Sequence, residues 1–217
     1  MGKLLKKEWI LFSNPMNFLF MTFVFMLFIP SYPYYVMFFY ILLGIFFSFL
    51  FGRENKDLNY MAMLPIKKEE IVLGKYLFVY SAQLLSVAIS IPAIVLRCTT
   101  LNYENQAGIE ANPAFLGFTF VMFAAFNAIF LGSYFKNAYK VGFAFAKGST
   151  AMGVIVVAAE ASTYLAKGMT GACFWDSTKS SDLGKQVPIL LIGLAIYVFG
   201  AYASFKRDRK NFFAQDL

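Results

Sequence analysis

Long apolar runs alternate with short polar connections along this chain, and the runs set the first expectation. Residues Pro15 to Gly52 are almost continuously apolar, interrupted mainly at Pro30, Ser31, Tyr32 and Pro33, which predicts a hairpin of two membrane helices at about 16–30 and 34–51. Further apolar runs place spans at about 76–96, 115–134, 149–166 and 187–205. The fold expected is all-α: a single polytopic transmembrane domain over residues 1–217, with six transmembrane helices and both termini on one side. The first limb is short, since about 15 residues rise only ~22 Å against a hydrocarbon core of ~30 Å. Either the segment before it contributes to the crossing, or the turn sits below the outer surface, or the bilayer thins locally.

That preceding segment, residues 2–12, carries Leu4, Leu5, Trp9 and Phe12 at helical spacing, with Lys3, Lys6 and Lys7 on the other side. Such a helix suits the headgroup plane as an interfacial elbow; the plainer alternative is a lead-in to the first span. A basic start before an apolar run is also the pattern of a signal peptide, but no small-residue cleavage site precedes the next run, so the segment reads as retained. The one long polar interruption is Asn55 to Tyr76, NKDLNYMAMLPIKKEEIVLGKY. It carries Asp57, then a short, partly apolar turn from Leu58 to Leu64, and a break at Pro65. It is either a solvated loop or an element that fits a groove on a soluble partner.

With 59% apolar residues, 14% charged and 27 Phe, the chain has the balance of an integral membrane protein. Its net charge of +7 is a topology signal before it is anything else. Of 19 Lys and Arg, only Arg97, Lys167, Lys179 and Lys185 fall on the side away from the termini, so both termini and the 53–75 segment are expected in the cytosol, and nucleic acid is not an expected partner. Finally, the absence of His, the presence of only two Cys and the lack of a nucleophile–base pair argue against a metal site or an intramembrane enzyme. Gly142 to Thr150, GFAFAKGST, is not a phosphate loop, because Lys147 precedes Gly148 and no strand leads into it.

Polar residues within the spans are the remaining candidates. Gln83, Ser86 and Ser90 form one stripe on the third span and Asn127 sits midway along the fourth; they line a substrate path or hydrogen-bond between helices. Glu160 either faces such a path or, if its span begins nearer Val141, sits at the outer interface. Ser149 with Gly153, and Gly200 with Ser204, are small faces suited to a close helix contact, within the chain or in an oligomer. Cys98 and Cys173 both fall in outward regions and either pair as a disulfide or stay free thiols. The loop Lys167 to Gln186, with Phe174, Trp175 and Asp176, is a small cap or a plain mobile loop.

Asp57-Leu58-Asn59-Tyr60, Leu64-Pro65-Ile66, Lys68, Ile71-Val72 and Lys75-Tyr76 resemble the signature region of ABC-2 type transporter permeases of Gram-positive bacteria. Within that family the chain looks most like the permease subunits of exporters for amphipathic peptides, such as the phenol-soluble modulin exporters. The resemblance implies a multi-pass protein of the bacterial cell membrane, in contact with lipid, whose two permease copies pair as a homodimer. Each copy docks a separate ATP-binding cassette ATPase through a cytosolic coupling helix, which by position is Asp57 to Leu64 here, carrying Asp57, Leu58, Tyr60, Met61 and Leu64; the recurrence of Leu58, Met61 and Leu64 as an apolar edge and the stop at Pro65 are compatible with it. No cofactor is implied in this chain; ATP and Mg belong to the partner subunit. The other class left open is a membrane scaffold or immunity protein that binds a toxic peptide without transporting it.

Overall fold

The computed structural model describes residues 2–29, 32–100, 105, 107–170 and 173–213. The break expected at Pro30 and Ser31 therefore lies outside the described residues. Helices α1 (Gly2–Lys7), α2 (Met16–Met21), α3 (Tyr35–Glu54), α4 (Asp57–Met63), α5 (Lys68–Thr100), α6 (Pro113–Tyr134), α7 (Val141–Thr170) and α8 (Ser180–Phe213) follow in order, with no strand among the described residues. The chain is an all-α polytopic membrane protein. Among the described residues, five helices are long and apolar enough to cross a membrane, and a sixth crossing is present only if the bent pair Leu4–Phe12 and Met16–Phe28 counts as one span.

The bend is where the first limb departs from a simple hairpin. α1 runs on as a π-helical turn to Phe12, and the chain then turns by 97° into α2, which continues as a 3₁₀ helix over Thr22–Phe28. The tighter 3₁₀ winding rises ~2.0 Å per residue instead of ~1.5 Å, so this limb reaches roughly 23 Å, still short of a full crossing. The limb is pinned to α3 through polar groups: Asn17 Nδ2 donates to Ser48 Oγ at 2.5 Å and the Asn14 amide donates to the same oxygen at 2.9 Å.

α6 is the most buried helix and α7 and α8 the least. Phe115 sits among Tyr34, Tyr35 and Phe38, and Phe49 meets Phe12, Phe130 and Tyr134, mostly edge to face. Such aromatic pairs add about 0.5–1.5 kcal/mol each beyond their buried area. α6 and α8 approach most closely at Gly117 and Gly193: a Cβ on Gly193 would overlap the Gly117 carbonyl, and one on Gly117 would lie 2.6 Å from the Ile189 oxygen. The small faces at Gly153 and Gly200 lie apart from this contact. Gly153 has open space beside it and Gly200 rests 3.6 Å from Ala124 Cβ.

α5, α7 and α8 each exceed their predicted spans by ten residues or more. α5, with 33 residues, reaches about 50 Å, well beyond ~30 Å of hydrocarbon, because Lys68, Glu69 and Glu70 continue a helix as readily in water as apolar residues do in lipid. The expected polar connection Lys136 to Gly148 shrinks for the same reason. α7 already starts at Val141, and Lys147 folds back with its ammonium 4.3 Å from the Phe143 ring centroid.

Candidate functional site

The N-terminal helix, α4, the start of α5 and the end of α8 meet at one end of the bundle, and their contact is electrostatic. Lys75, in the second turn of α5, is fully buried, a state that an ammonium sustains only with partners. Its Nζ donates to Glu8 Oε2 at 2.8 Å and to Asp57 Oδ2 at 2.5 Å, and sits 3.2 Å from the Phe12 ring centroid. Lys7 closes the cluster, 2.9 Å from Glu8 and 3.4 Å from Asp57, and reaches Met61 Sδ at 2.7 Å. Two cations and two carboxylates thus balance, Lys75 and Glu8 fully buried and Lys7 and Asp57 at the edge of the cluster. Gly52 makes room for it, since a Cβ there would overlap the Phe12 ring.

The backbone of α4 explains why Asp57 arrives at this place. Asn55 and Lys56 end α3, Lys56 in the left-handed region at φ 52°, and the reversal starts α4 with Asp57 in its first turn, where the helix dipole favours an anion. Burial pushes the Asp57 carboxyl up, but Lys75 and Lys7 outweigh it and hold the group below the usual carboxylate range. At the other end Leu64 is extended, as a residue before proline prefers, so Pro65 stops the helix after Met63.

The apolar edge predicted for α4 turns inward. Leu58 and Met61 are buried against the chain itself, and Asp57 is held by Lys75 and Lys7. The surface that α4 leaves open is Tyr60, Met63 and Leu64, at 63%, 83% and 38% exposure. A period of three describes one side of a short helix, but it does not say which side faces out.

Immediately next on α5, Tyr76 donates to Asp208 Oδ2 of α8 at 2.6 Å. Asp208, fully buried, accepts in turn from Arg207 Nε at 2.8 Å, while Arg207 also reaches the Ala128 carbonyl of α6. Arg209 pairs with Glu69 at 2.9 Å. Consecutive residues of α5 therefore connect α4 and the N-terminal helix on one side to α8 and α6 on the other. Sequence reasoning counted Lys75 as a loop cation and gave Glu8 no role; the available signal was an acid at i+4 from Leu4 and i−4 from Phe12, on the apolar face of a basic helix.

The other candidates are dispersed. Gln83 and Asn127 are buried and bind each other reciprocally at 2.8 Å, with the Tyr197 hydroxyl donating to Gln83 Oε1 at 2.9 Å. Ser86 and Ser90 donate back to their own helix at the Gln83 and Val87 carbonyls. Glu160 lies at the opposite end, where its Oε1 accepts from the Ile109 amide at 3.3 Å. There residues 107–112 and 173–177 form a cap: Arg97 pairs with Glu110 at 2.8 Å, the Glu110 amide donates to Asp176 at 2.7 Å, and Trp175 Nε1 donates to Thr163 at 3.1 Å. Both cysteines are free thiols, Cys98 exposed and Cys173 buried.

Residues 3–206 match the family model described as ABC-2 family transporter protein. Neither a curated protein nor a solved structure matches the chain.

Proposed function

The chain belongs to the ABC-2 transporter family, as a permease subunit that is not itself catalytic and whose family implies an ATP-binding cassette partner, and we propose that α4 is where that partner docks. The observation that carries this reading is the two-sided build of α4. One side is fixed to the N-terminal helix and α5 by Asp57 and Met61, with Leu58 buried beside them, and the other presents Tyr60, Met63 and Leu64 as its exposed apolar residues. An exposed apolar surface on a rigidly anchored helix is what a soluble partner's groove requires.

Movement imposed on α4 passes through Asp57 to Lys75 and so into α5. Tyr76 and Asp208 then carry it into α8, and the reciprocal amides of Gln83 and Asn127 into α6. The partner binds ATP and Mg, this end of the bundle faces the cytosol of a bacterial cell, and a second copy of the chain completes the pathway. The cargo is an amphipathic peptide or another hydrophobic compound, moved outward. The clustering of Lys and Arg at the α4 end supports the orientation, and the exposed apolar residues of α7 and α8, such as Val157, Leu165, Ile192 and Phe199, support contact with lipid or the second copy.

The test is co-purification. Tyr60→Asp with Met63→Asp is expected to abolish capture of the ATPase while membrane insertion and melting stay near the parent's, because neither side chain packs inside. Retained capture by this variant overturns the assignment of the docking surface.

A further inference from the structure

A cleft of about 380 Å³ lies beside α4, between the end of α3 and the 135–140 connection. It is a different surface from Tyr60 and Met63. Arg53, Lys56 and Lys136 line it together with the amides of Asn59 and Asn137, and no acidic side chain does. Arg53 is partly engaged, since it pairs with Glu54 and donates to the Tyr139 carbonyl at 3.3 Å across the cleft. Lys56 and Lys136 have no ion-pair partner among the described residues.

Lys56 is the more telling of the two. It occupies the left-handed position just past the end of α3, at φ 52°, and no other non-glycine residue among those described has a positive φ. Helices that end this way ordinarily place Gly there, or sometimes Asn, because a Cβ is strained in that conformation. The chain has Asn55 one residue earlier yet puts a lysine at the strained position. A left-handed lysine without an ion-pair partner on the rim of a basic cleft points to a role for that cation in binding.

The location specifies the ligand. Gly52 and Tyr134, the last turns of two spans, form its walls, so the cleft sits where helices leave the hydrocarbon, and Tyr139 beside it is 68% exposed, as an interfacial aromatic is. We propose that this cleft binds a phosphate or phosphodiester group, supplied by the headgroup of an anionic phospholipid. Two lysines and two amide donors suit the oxygens of such a group, and the apolar wall of Leu58 and Tyr134 suits the start of its acyl chains. A headgroup held there ties α4 to the 135–140 connection. The inference does not depend on the ATPase reading.

The purified chain in a neutral detergent, followed by native mass spectrometry and thermal melting, tests this with dioleoyl phosphatidylglycerol, dioleoyl phosphatidylcholine and inorganic phosphate as probes. Phosphatidylglycerol is expected to bind and raise the Tm, and phosphatidylcholine is not. Lys56→Asn with Lys136→Gln is expected to weaken phosphatidylglycerol binding roughly 25-fold, about fivefold per lysine from ~1 kcal/mol each near a membrane surface. Lipid-free Lys56→Asn is expected to melt no lower than the parent, since Asn tolerates the left-handed position, which separates loss of binding from loss of folding. Lys206→Gln with Lys210→Gln changes net charge equally and is expected to keep the response. An unchanged response in the cleft variant, an equal loss in the tail variant, or full stabilisation by inorganic phosphate alone would each overturn the lipid site.

Discussion

Replacing Lys75 by alanine is the sharpest perturbation of the cluster beneath α4. At 2.8 and 2.5 Å, and an effective dielectric near 20, the pairs with Glu8 and Asp57 are worth about 6–7 kcal/mol each in Coulomb energy. Desolvating the ions cancels much of that, so the intact cluster is close to neutral for stability, whereas removing one member strands a buried carboxylate. Breaking such a group costs about 3–5 kcal/mol, a Tm loss of roughly 6–20 °C for a chain of this size. Glu8→Gln with Lys75→Met removes one charge of each sign, leaves Lys7 facing Asp57, and is expected to recover at least half of the loss. Melting of the purified protein in one fixed detergent reads both variants. A Lys75→Ala protein melting within about 2 °C of the parent would refute a coupled buried cluster, and so would a double variant no better than the single.

Other consequences follow from neighbouring contacts. Tyr76→Phe removes the donor to Asp208 and is expected to cost about 1.5–3 kcal/mol, read by melting, with Arg207 still in place. Gln83→Leu strands Asn127 and the Tyr197 hydroxyl for about 1–3 kcal/mol, and the Gln83→Leu/Asn127→Leu pair is expected to recover part of it, since both amides are then gone. Gly193→Ala forces a methyl onto the Gly117 carbonyl and is expected to cost about 1–3 kcal/mol, while Gly153→Ala, with open space beside it, costs under ~0.5 kcal/mol. The depressed Asp57 pKa stabilises the fold above the ordinary aspartate value near 3.9 and is lost only as pH falls through the lower folded value, so its share of stability is flat from pH 6 to 8 and disappears in strong acid. A Tm dependence in which Asp57→Asn differs from the parent by the same amount at pH 3 as at pH 7 contradicts that.

The membrane helices were legible because lipid demands long apolar runs, and runs such as Tyr35–Phe51 leave no other reading. Their ends were not, since hydropathy marks where lipid stops and not where a helix does, as α5 and α8 demonstrate. The Pro65 stop stood out from propensity, whereas the helix beginning at Asp57 came with the family resemblance. The inward turn of Leu58 and Met61, and the partnership of Glu8 with Lys75 across 67 positions, depend on tertiary contacts that no local period encodes. Gln83 and Asn127 stand out in the sequence as polar residues within spans, but their pairing is a matter of helix register, which sequence spacing within one helix does not set.

The central claim is that a partner ATPase rests on the outward side of α4. A photo-crosslinking residue at Met63, 83% exposed, compared with the same residue at Met61, 1% exposed and only two positions away, tests it most directly in membranes that contain the ATPase. The account predicts a covalent adduct with the ATPase from position 63 and none from position 61. Adducts of equal yield at both positions, or at neither while the ATPase still co-purifies, would contradict it.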